Sequence, residues 1–456
     1  MKVSLKILLS AFVVLTLVQC KTRKPDDVTG ELSGEVLSNY KAAKKDFTMF
    51  KLDETNQITR LKSAYDKMQP GADLMNDVQK SSNPDFWVLY GDINAAILKI
   101  QKNSIVNETS INDLFKSIDL KTVHGVEAYR TALSATGQKL ERLNALKGLK
   151  SIQYDLNELT LFTQKKGDYE ATYEHGMLQT EIHELLRSND YGSAFNDNAF
   201  ANHQYVMAMV CIQLKKNEEA KNLLLKLRDD DYDDPGVYNN LYKLASLNDD
   251  LEAAAKYLEE GREKFPDDLS MLFSQINYFQ EKNDSRKLIE LIPKAIQLEP
   301  ENKTLYSVLG SAYGDISRIS YRSGDSKNGE KNFNSAIGIL VQANTKFPDD
   351  FNINYGLGAL YFNRAADLTT ESNKISQDFS KEGMMQYDRM RAEITTLFNS
   401  SLPYFKKCEH INPSDINTLI ALKQVFASTE DMVMYKEFKD RLDKVTRGET
   451  IARSYF

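Results

Sequence analysis

The chain has 456 residues, 41% hydrophobic and 27% charged, so a large core is within reach and wholesale disorder is excluded. Its 65 acidic side chains outnumber 58 basic ones, a formal charge of −7 that argues against a nucleic-acid partner, whose phosphates require a basic face. Ten prolines and 21 glycines are few for this length and strictly alternating strands are scarce, so the chain reads as helical almost throughout.

The first residues, Met1 to Lys6, form a short basic opening. An apolar run follows from Ile7 to Val18, broken only by Ser10 and Thr16. Such a run is too short for a permanent span and suits the core of a signal peptide. It ends in Leu17-Val18-Gln19-Cys20, which resembles the lipobox of bacterial lipoproteins. The resemblance implies a signal peptide over 1–19, cleavage before Cys20 and lipid on its thiol. Loss of Lys2 and Lys6 with that peptide takes the formal charge from −7 to −9. Residues 20–34 are polar and aperiodic beyond the cysteine, as a flexible tether would be. In lipoproteins an Asp after the cysteine favours the inner membrane. Lys21 stands there, so the expected location is the outer membrane, periplasmic or surface-facing.

From 35 to 200 apolar residues recur at helical spacing. Two fragments stand out, Trp87-x-x-Tyr90-Gly91-x-x-Asn94 and Gly167-Asp168-Tyr169-Glu170-Ala171, with no readable unit between 100 and 150. From 201 to 443 a period emerges. Pro266 and Pro300 are 34 residues apart. Between Pro235 and Pro266 the chain places Tyr238, Leu241, Ala245, Ala254, Leu258 and Gly261. Between Pro266 and Pro300 it places Leu272, Phe279, Leu288, Ile292 and Ala295 34 residues after their counterparts, with Ile276 shifted by one more. Tyr306-x-x-Leu309-Gly310-x-x-Tyr313, with Ala336, Leu340, Ala343 and Pro348, makes a third set. Leu357-Gly358-x-x-Tyr361, with Phe405, Cys408 and Pro413, makes a fourth. Backward from Pro235, Met207, Ala208, Cys211, Ala220, Leu224 and Leu227 fall in register.

This pattern resembles the tetratricopeptide repeat family, in which an aromatic, Leu-Gly and Tyr mark helix A, and Ala residues and a closing Pro mark helix B. The resemblance implies an all-α solenoid of antiparallel helix pairs, a superhelix with a groove lined by A helices. Units fall near 201–234, 235–268, 269–302, 303–350, 351–415 and 416–443, the last a cap without a closing proline. The two fragments upstream then read as degenerate repeats within 35–200. In the third unit Tyr313 to Ala336 exceeds the pattern by 14 residues, and in the fourth Tyr361 to Ser401 exceeds it by 31. Insertions near 314–329 and 362–399 therefore predict two elongated helix pairs, the second a projecting hairpin with Met384, Met385, Tyr387, Met390 and Ile394 at apolar spacing.

Chemistry is sparse by comparison. His124, His175, His183, His203 and His410 form no metal-ligand or catalytic pattern and read as exposed helix histidines. The run Asp229 to Asp234, interrupted by Tyr232, lacks the Gly and Glu of a calcium loop and reads as a solvated junction where Asp starts a helix. With Cys20 on lipid, Cys211 and Cys408 remain at small-residue packing positions, as buried unpaired thiols. No cofactor, metal site or catalytic residue is expected. Helix A geometry directs Asn239, Lys243, Phe273, Asn277, Ser307, Ser311 and Tyr355 into the groove. The paired Lys/Asn clamp with which some members of the family hold a peptide carboxylate does not recur. The expectation is a non-catalytic scaffold or adaptor lipoprotein for other envelope proteins. The alternative is an outer-membrane lipoprotein capturing a glycan or peptide for a transporter, disfavoured by the single tryptophan, Trp87.

Overall fold

The computed structural model describes residues 30–118, 124–135 and 138–456; the expected signal peptide, Cys20 and the expected tether up to Thr29 lie outside the described residues. Within them regular structure is helical, nineteen α-helices and one 3₁₀ turn, with no strand. None of these helices is long and apolar enough to cross a membrane. The chain divides into two compact units, Met1–Asp230 and Asp231–Phe456.

In the first unit come α1 (Gly34–Leu52), α2 (Ile58–Leu74), α3 (Asp77–Ser82), α4 (Pro84–Val106), α5 (His124–Ser134), α6 (Lys139–Lys166), α7 (Tyr169–Arg187), α8 (Asp197–Gln213) and α9 (Asn217–Asp229). Helix α4 lies against α2, α5 and α6. A large continuous core joins α1 to α7, with Phe86, Ile93, Tyr129, Leu149, Ile152 and Leu156 fully buried. Trp87 is buried there too, its ring edge-on to Phe86 and Tyr90. The turn Gly167-Asp168 leads into α7: Gly167 takes φ +74°, which glycine adopts without strain, and the Asp168 carboxylate caps the helix by accepting from Ala171 N.

Three of the five histidines depart from the exposed-face expectation. His175, His183 and His203 are buried between α7, α8 and the loop joining them. For two of them aromatic neighbours and internal partners replace water: His183 stacks on Phe200 at 3.7 Å between centroids, and His203 Nε2 lies 3.0 Å from Gly176 O and 3.1 Å from Thr180 Oγ1, whereas His175 Nδ1 is buried without a hydrogen-bond partner. Imidazole is small and half apolar, so a helix face can take it inward when its nitrogens are matched. Sequence spacing alone did not separate that case from solvent exposure.

In the second unit α10 (Pro235–Leu247) pairs with α11 (Leu251–Lys264), α12 (Leu269–Glu281) with α13 (Ser285–Leu298), α14 (Lys303–Arg322) with α15 (Ser326–Lys346), α16 (Phe351–Ile375) with α17 (Lys381–Ile411), and α18 (Ile416–Ser428) with α19 (Met432–Thr446). Each pair packs on the next, so the unit is a solenoid of antiparallel helix pairs. Its turns recur for a local reason. Before α11, α13, α15 and α19 a left-handed residue (Asp249, Asn283, Gly324, Glu430) reverses the chain, and Asp250, Asp284, Asp325 or Asp431 then caps the helix. The closing prolines Pro266, Pro300, Pro348 and Pro413 each stand two residues past the end of α11, α13, α15 and α17, where they cannot continue the hydrogen-bond ladder. Pro235 differs. It is the first residue of α10, a position where its missing N–H costs nothing, and Asp234 caps that helix. The acidic run thus ends in a helix cap, and Asp231 pairs with Lys264.

Small residues mark the helix crossings: Ala254, Ala295, Ala343 and Cys408 are fully buried. Both Cys211 and Cys408 are free, buried thiols. At Gly310 a Cβ would lie 2.5 Å from Leu340 Cγ, so α14 and α15 meet closely only because no side chain intervenes. Gly310→Val is expected to cost about 1–3 kcal/mol by overpacking. Urea denaturation followed by circular dichroism checks this, and an unchanged midpoint would show that the contact is soft.

Two pairs are elongated. Helices α14 and α15 have 20 and 21 residues where α10 and α11 have 13 and 14; α16 and α17 have 25 and 31. The base of the longest pair is held by Ala365, Leu368, Ile394 and Phe398 with Val425 of α18, while Phe379, Met384 and Met385 near its turn are exposed.

Candidate interaction groove

The first helices of successive pairs, α10, α12, α14 and α16, present polar side chains at three- and four-residue intervals on the face opposite their apolar contacts. On α14 the stripe runs Ser307, Ser311, Asp315, Arg318, and on α16 it runs Asn352, Tyr355, Ala359, Asn363, Asp367. Three cavities open along this face. The first is lined by Lys243, Ser274, Asn277 and Gln280, the second by Gln280, Asn283, Thr304 and Asn352, and the third by residues of α14, α15 and α16. Gln280 belongs to the first and second, and Ser307, Ser311 and Asp315 to the second and third, so the cavities run together as one groove within this unit.

The third cavity, about 190 Å³, is the most enclosed. Phe333, Leu340 and Leu360 provide apolar wall, and Asp315, Arg318, Arg364 and Asp367 its charges. The Arg364 guanidinium lies 3.6 Å from the centre of the Tyr321 ring, and its Nη1 is buried without a hydrogen-bond partner, 3.8 Å from Glu371 Oε1. Stacking on an aromatic face compensates part of the desolvation of such a cation. Burial holds the Tyr321 hydroxyl above its ordinary pKa, an effect that Arg364 opposes. Asp367 accepts from both Arg318 Nε and Arg322 Nη2, each at 3.1 Å, tying the extended part of α14 to α16.

Of the residues expected in the groove, Lys243 and Asn277 line the first cavity, Ser307 and Ser311 the second and third, and Tyr355 the third. Asn239 is buried in α10, where its Nδ2 donates to Ser270 Oγ. Phe273 is half-buried and packs on the core formed by Leu272, Ile276 and Leu305. Cys20 lies outside the described residues. Sequence reasoning missed Gln280, Arg318, Tyr321, Asn363, Arg364 and Asp367. Arg318, Tyr321, Arg364 and Asp367 sit where helices run past the 13 residues of α10 and α12, and continuing the Ser307-Ser311 stripe by four and three residues would have reached Arg318.

Hydroxyls, carboxamides and paired charges line the groove, and neither free thiol is among its lining residues. Burial pushes the Cys211 thiol up to about 11 and the Cys408 thiol up to about 12, far from the thiolate form. Among the described residues no three His, Cys, Asp or Glu side chains gather as metal ligands.

No protein-family model matches the chain and no curated protein matches its sequence. Solved structures similar to it include a TPR repeats protein from Bacteroides fragilis (16% identity, TM-score 0.31, covering 50% of this chain and 98% of that one). A tetratricopeptide repeat protein from Parabacteroides merdae is 12% identical, with TM-score 0.25, covering 66% and 93%. The TPR domain of P58(IPK) is 12% identical, with TM-score 0.23, covering 88% and 99%.

Proposed function

We propose that this chain is a non-catalytic adaptor that holds a protein partner in the groove of its second unit while lipid on Cys20 keeps it at the outer membrane of a bacterial envelope. The observation that carries the reading is the continuity of that groove across α10, α12, α14 and α16, with hydrogen-bonding side chains facing it at helical intervals. The anchor rests on the basic, apolar and Leu-Val-Gln-Cys succession of residues 1–20. Acyl chains contribute ~0.8 kcal/mol per buried CH₂, so two or three hold a protein on a bilayer essentially permanently.

Two experiments test the two halves separately. Full-length chain captured from detergent-solubilised membranes should bring down a partner, and Ser311→Arg, which fills the groove from an exposed position, should release it. Capture indifferent to that substitution removes the groove from the reading. Cys20→Ala should move the chain from the membrane pellet to the supernatant; a variant that stays in the pellet rules the lipid anchor out.

A further inference from the structure

The charges that line the third cavity do not cancel where they stand. Asp367 on α16 receives both Arg318 Nε and Arg322 Nη2, one carboxylate for two guanidiniums. Arg364 is met by Glu371. Asp315, which also lines the cavity, accepts only from the Ser285 hydroxyl, at 3.3 Å, and pairs with no cation among the described residues. A carboxylate and a guanidinium three residues apart on a helix are neighbours that ordinarily pair. Here Arg318 reaches across to Asp367 instead, and its Nη groups have no partner among the described residues. One flank of α14 therefore offers an unmet carboxylate beside unmet guanidinium donors, on Cβ atoms about 5–6 Å apart. The same cavity has the apolar wall of Phe333, Leu340 and Leu360.

We propose that this cavity binds a free amino acid with an apolar side chain, its ammonium on Asp315, its carboxylate on Arg318 and its side chain against Phe333, Leu340 and Leu360. An α-amino acid carries both charges on one carbon, so two side chains one helical turn apart can hold them together. A simple anion would leave Asp315 unmet, and a simple amine would leave Arg318 unmet. Volume limits the rest of the ligand. The cavity's 190 Å³ lies below the ~300–1,000 Å³ of drug-sized sites, whereas an apolar cavity of about 150 Å³ holds benzene. A phenyl or branched aliphatic group with a short charged head therefore fills it. Such capture is independent of the lipid anchor and of a protein partner.

The probes are L-phenylalanine, N-acetyl-L-phenylalanine, which lacks the ammonium, and L-phenylalaninamide, which lacks the carboxylate, each titrated into the full chain in detergent by isothermal calorimetry. L-Phenylalanine should bind with Kd below about 1 mM, and each analogue at least about tenfold more weakly. Asp315→Asn should erase the preference over the N-acetyl compound, and Arg318→Gln the preference over the amide. Both side chains are exposed, so helical circular dichroism should not change. A Kd above about 1 mM for L-phenylalanine overturns the proposal. So does an amide that binds as well as the amino acid, which would make the occupant a chain terminus. Preferences that survive both substitutions would put the site elsewhere and overturn it too. Capture of a protein partner in any of these cases would leave the adaptor reading standing.

Discussion

Replacing Glu409 by alanine lowers the stability of the second unit by about 3–5 kcal/mol, the cost of breaking a buried ion pair by deleting one partner. The Glu409 side chain on α17 is completely buried. Its carboxylate accepts from Arg441 Nη1 at 2.8 Å, Ser454 Oγ at 2.6 Å and Tyr455 N at 2.9 Å. One carboxylate thus joins α17, α19 and residues 451–456, which cover the end of the last pair with Phe456 stacked on Phe438. Without it the Arg441 side chain, only 14% exposed, loses its buried acceptor and is left with the more exposed Glu437 and the Arg453 carbonyl. Residues 451–456 lose the group that receives their N–H donors. Urea unfolding gives the energy, and limited proteolysis should cut near 450 faster in the variant. Glu409→Gln, which keeps an acceptor, should fall between. A Glu409→Ala protein that unfolds at the wild-type midpoint and resists the protease would show that the apolar contacts of Phe456 suffice.

Acidification is expected to weaken the first unit through its buried histidines. Burial lowers His203 to about 4 from an ordinary value near 6.5, and it lowers His175 and His183 as well. A histidine whose folded value lies below its unfolded one contributes fully above pH 6.5. That contribution is lost as pH falls, because the unfolded chain takes the proton first. For His203 the window is pH 6.5 down to about 4, worth roughly 3 kcal/mol. Nearby charges modify the other two. Arg187 and Lys226 oppose protonation of His183 while Asp197 and Glu184 favour it, and Glu174 and Asp168 favour protonation of His175. Burial also raises Asp92 and Asp155, which push stability the opposite way as they protonate. The discriminating measurement is therefore the slope. Denaturation followed by the fluorescence of Trp87, the one tryptophan and a residue of this unit, should lose about one proton of pH dependence in His203→Gln. An identical slope in wild type and variant would show that His203 does not control the transition.

The repeat was legible because it rests on steric requirements that name residue types. A closing proline, an Asp before a helix and a Gly or Ala at each crossing have few substitutes. That is why Ala254, Gly261, Ala295 and Pro300 could be placed from spacing alone. The elongated pairs followed from counting: excesses of 14 and 31 residues correspond to the long helices α14 to α17. The groove was only partly legible. Lys243, Asn277, Ser307, Ser311 and Tyr355 reach it because they flank packing positions that the pattern fixes. Asn239 does so too, yet it sits a turn earlier and is covered by the neighbouring helix through Ser270. Arg364 was missed because no repeat position corresponds to it; it lies on the extension of α16. His183 and His203 were misjudged because a polar side chain turns inward where partners await it, and those partners, Gly176 O, Thr180 and Ser193, are visible only in three dimensions.

The seven residues gained by each of α14 and α15 complete almost two full turns at about 3.6 residues per turn. An insertion of that size lengthens a helix without changing its phase, so the added segment inherits the orientation of the old one. Arg318 and Tyr321 therefore share a flank with Ser307 and Ser311. Residues seven apart on a helix stand only about 20° apart, whereas residues five apart stand about 140° apart and face another flank. Lengthening α14 and α15 together by about 10 Å thus widens the binding face of this pair without turning it.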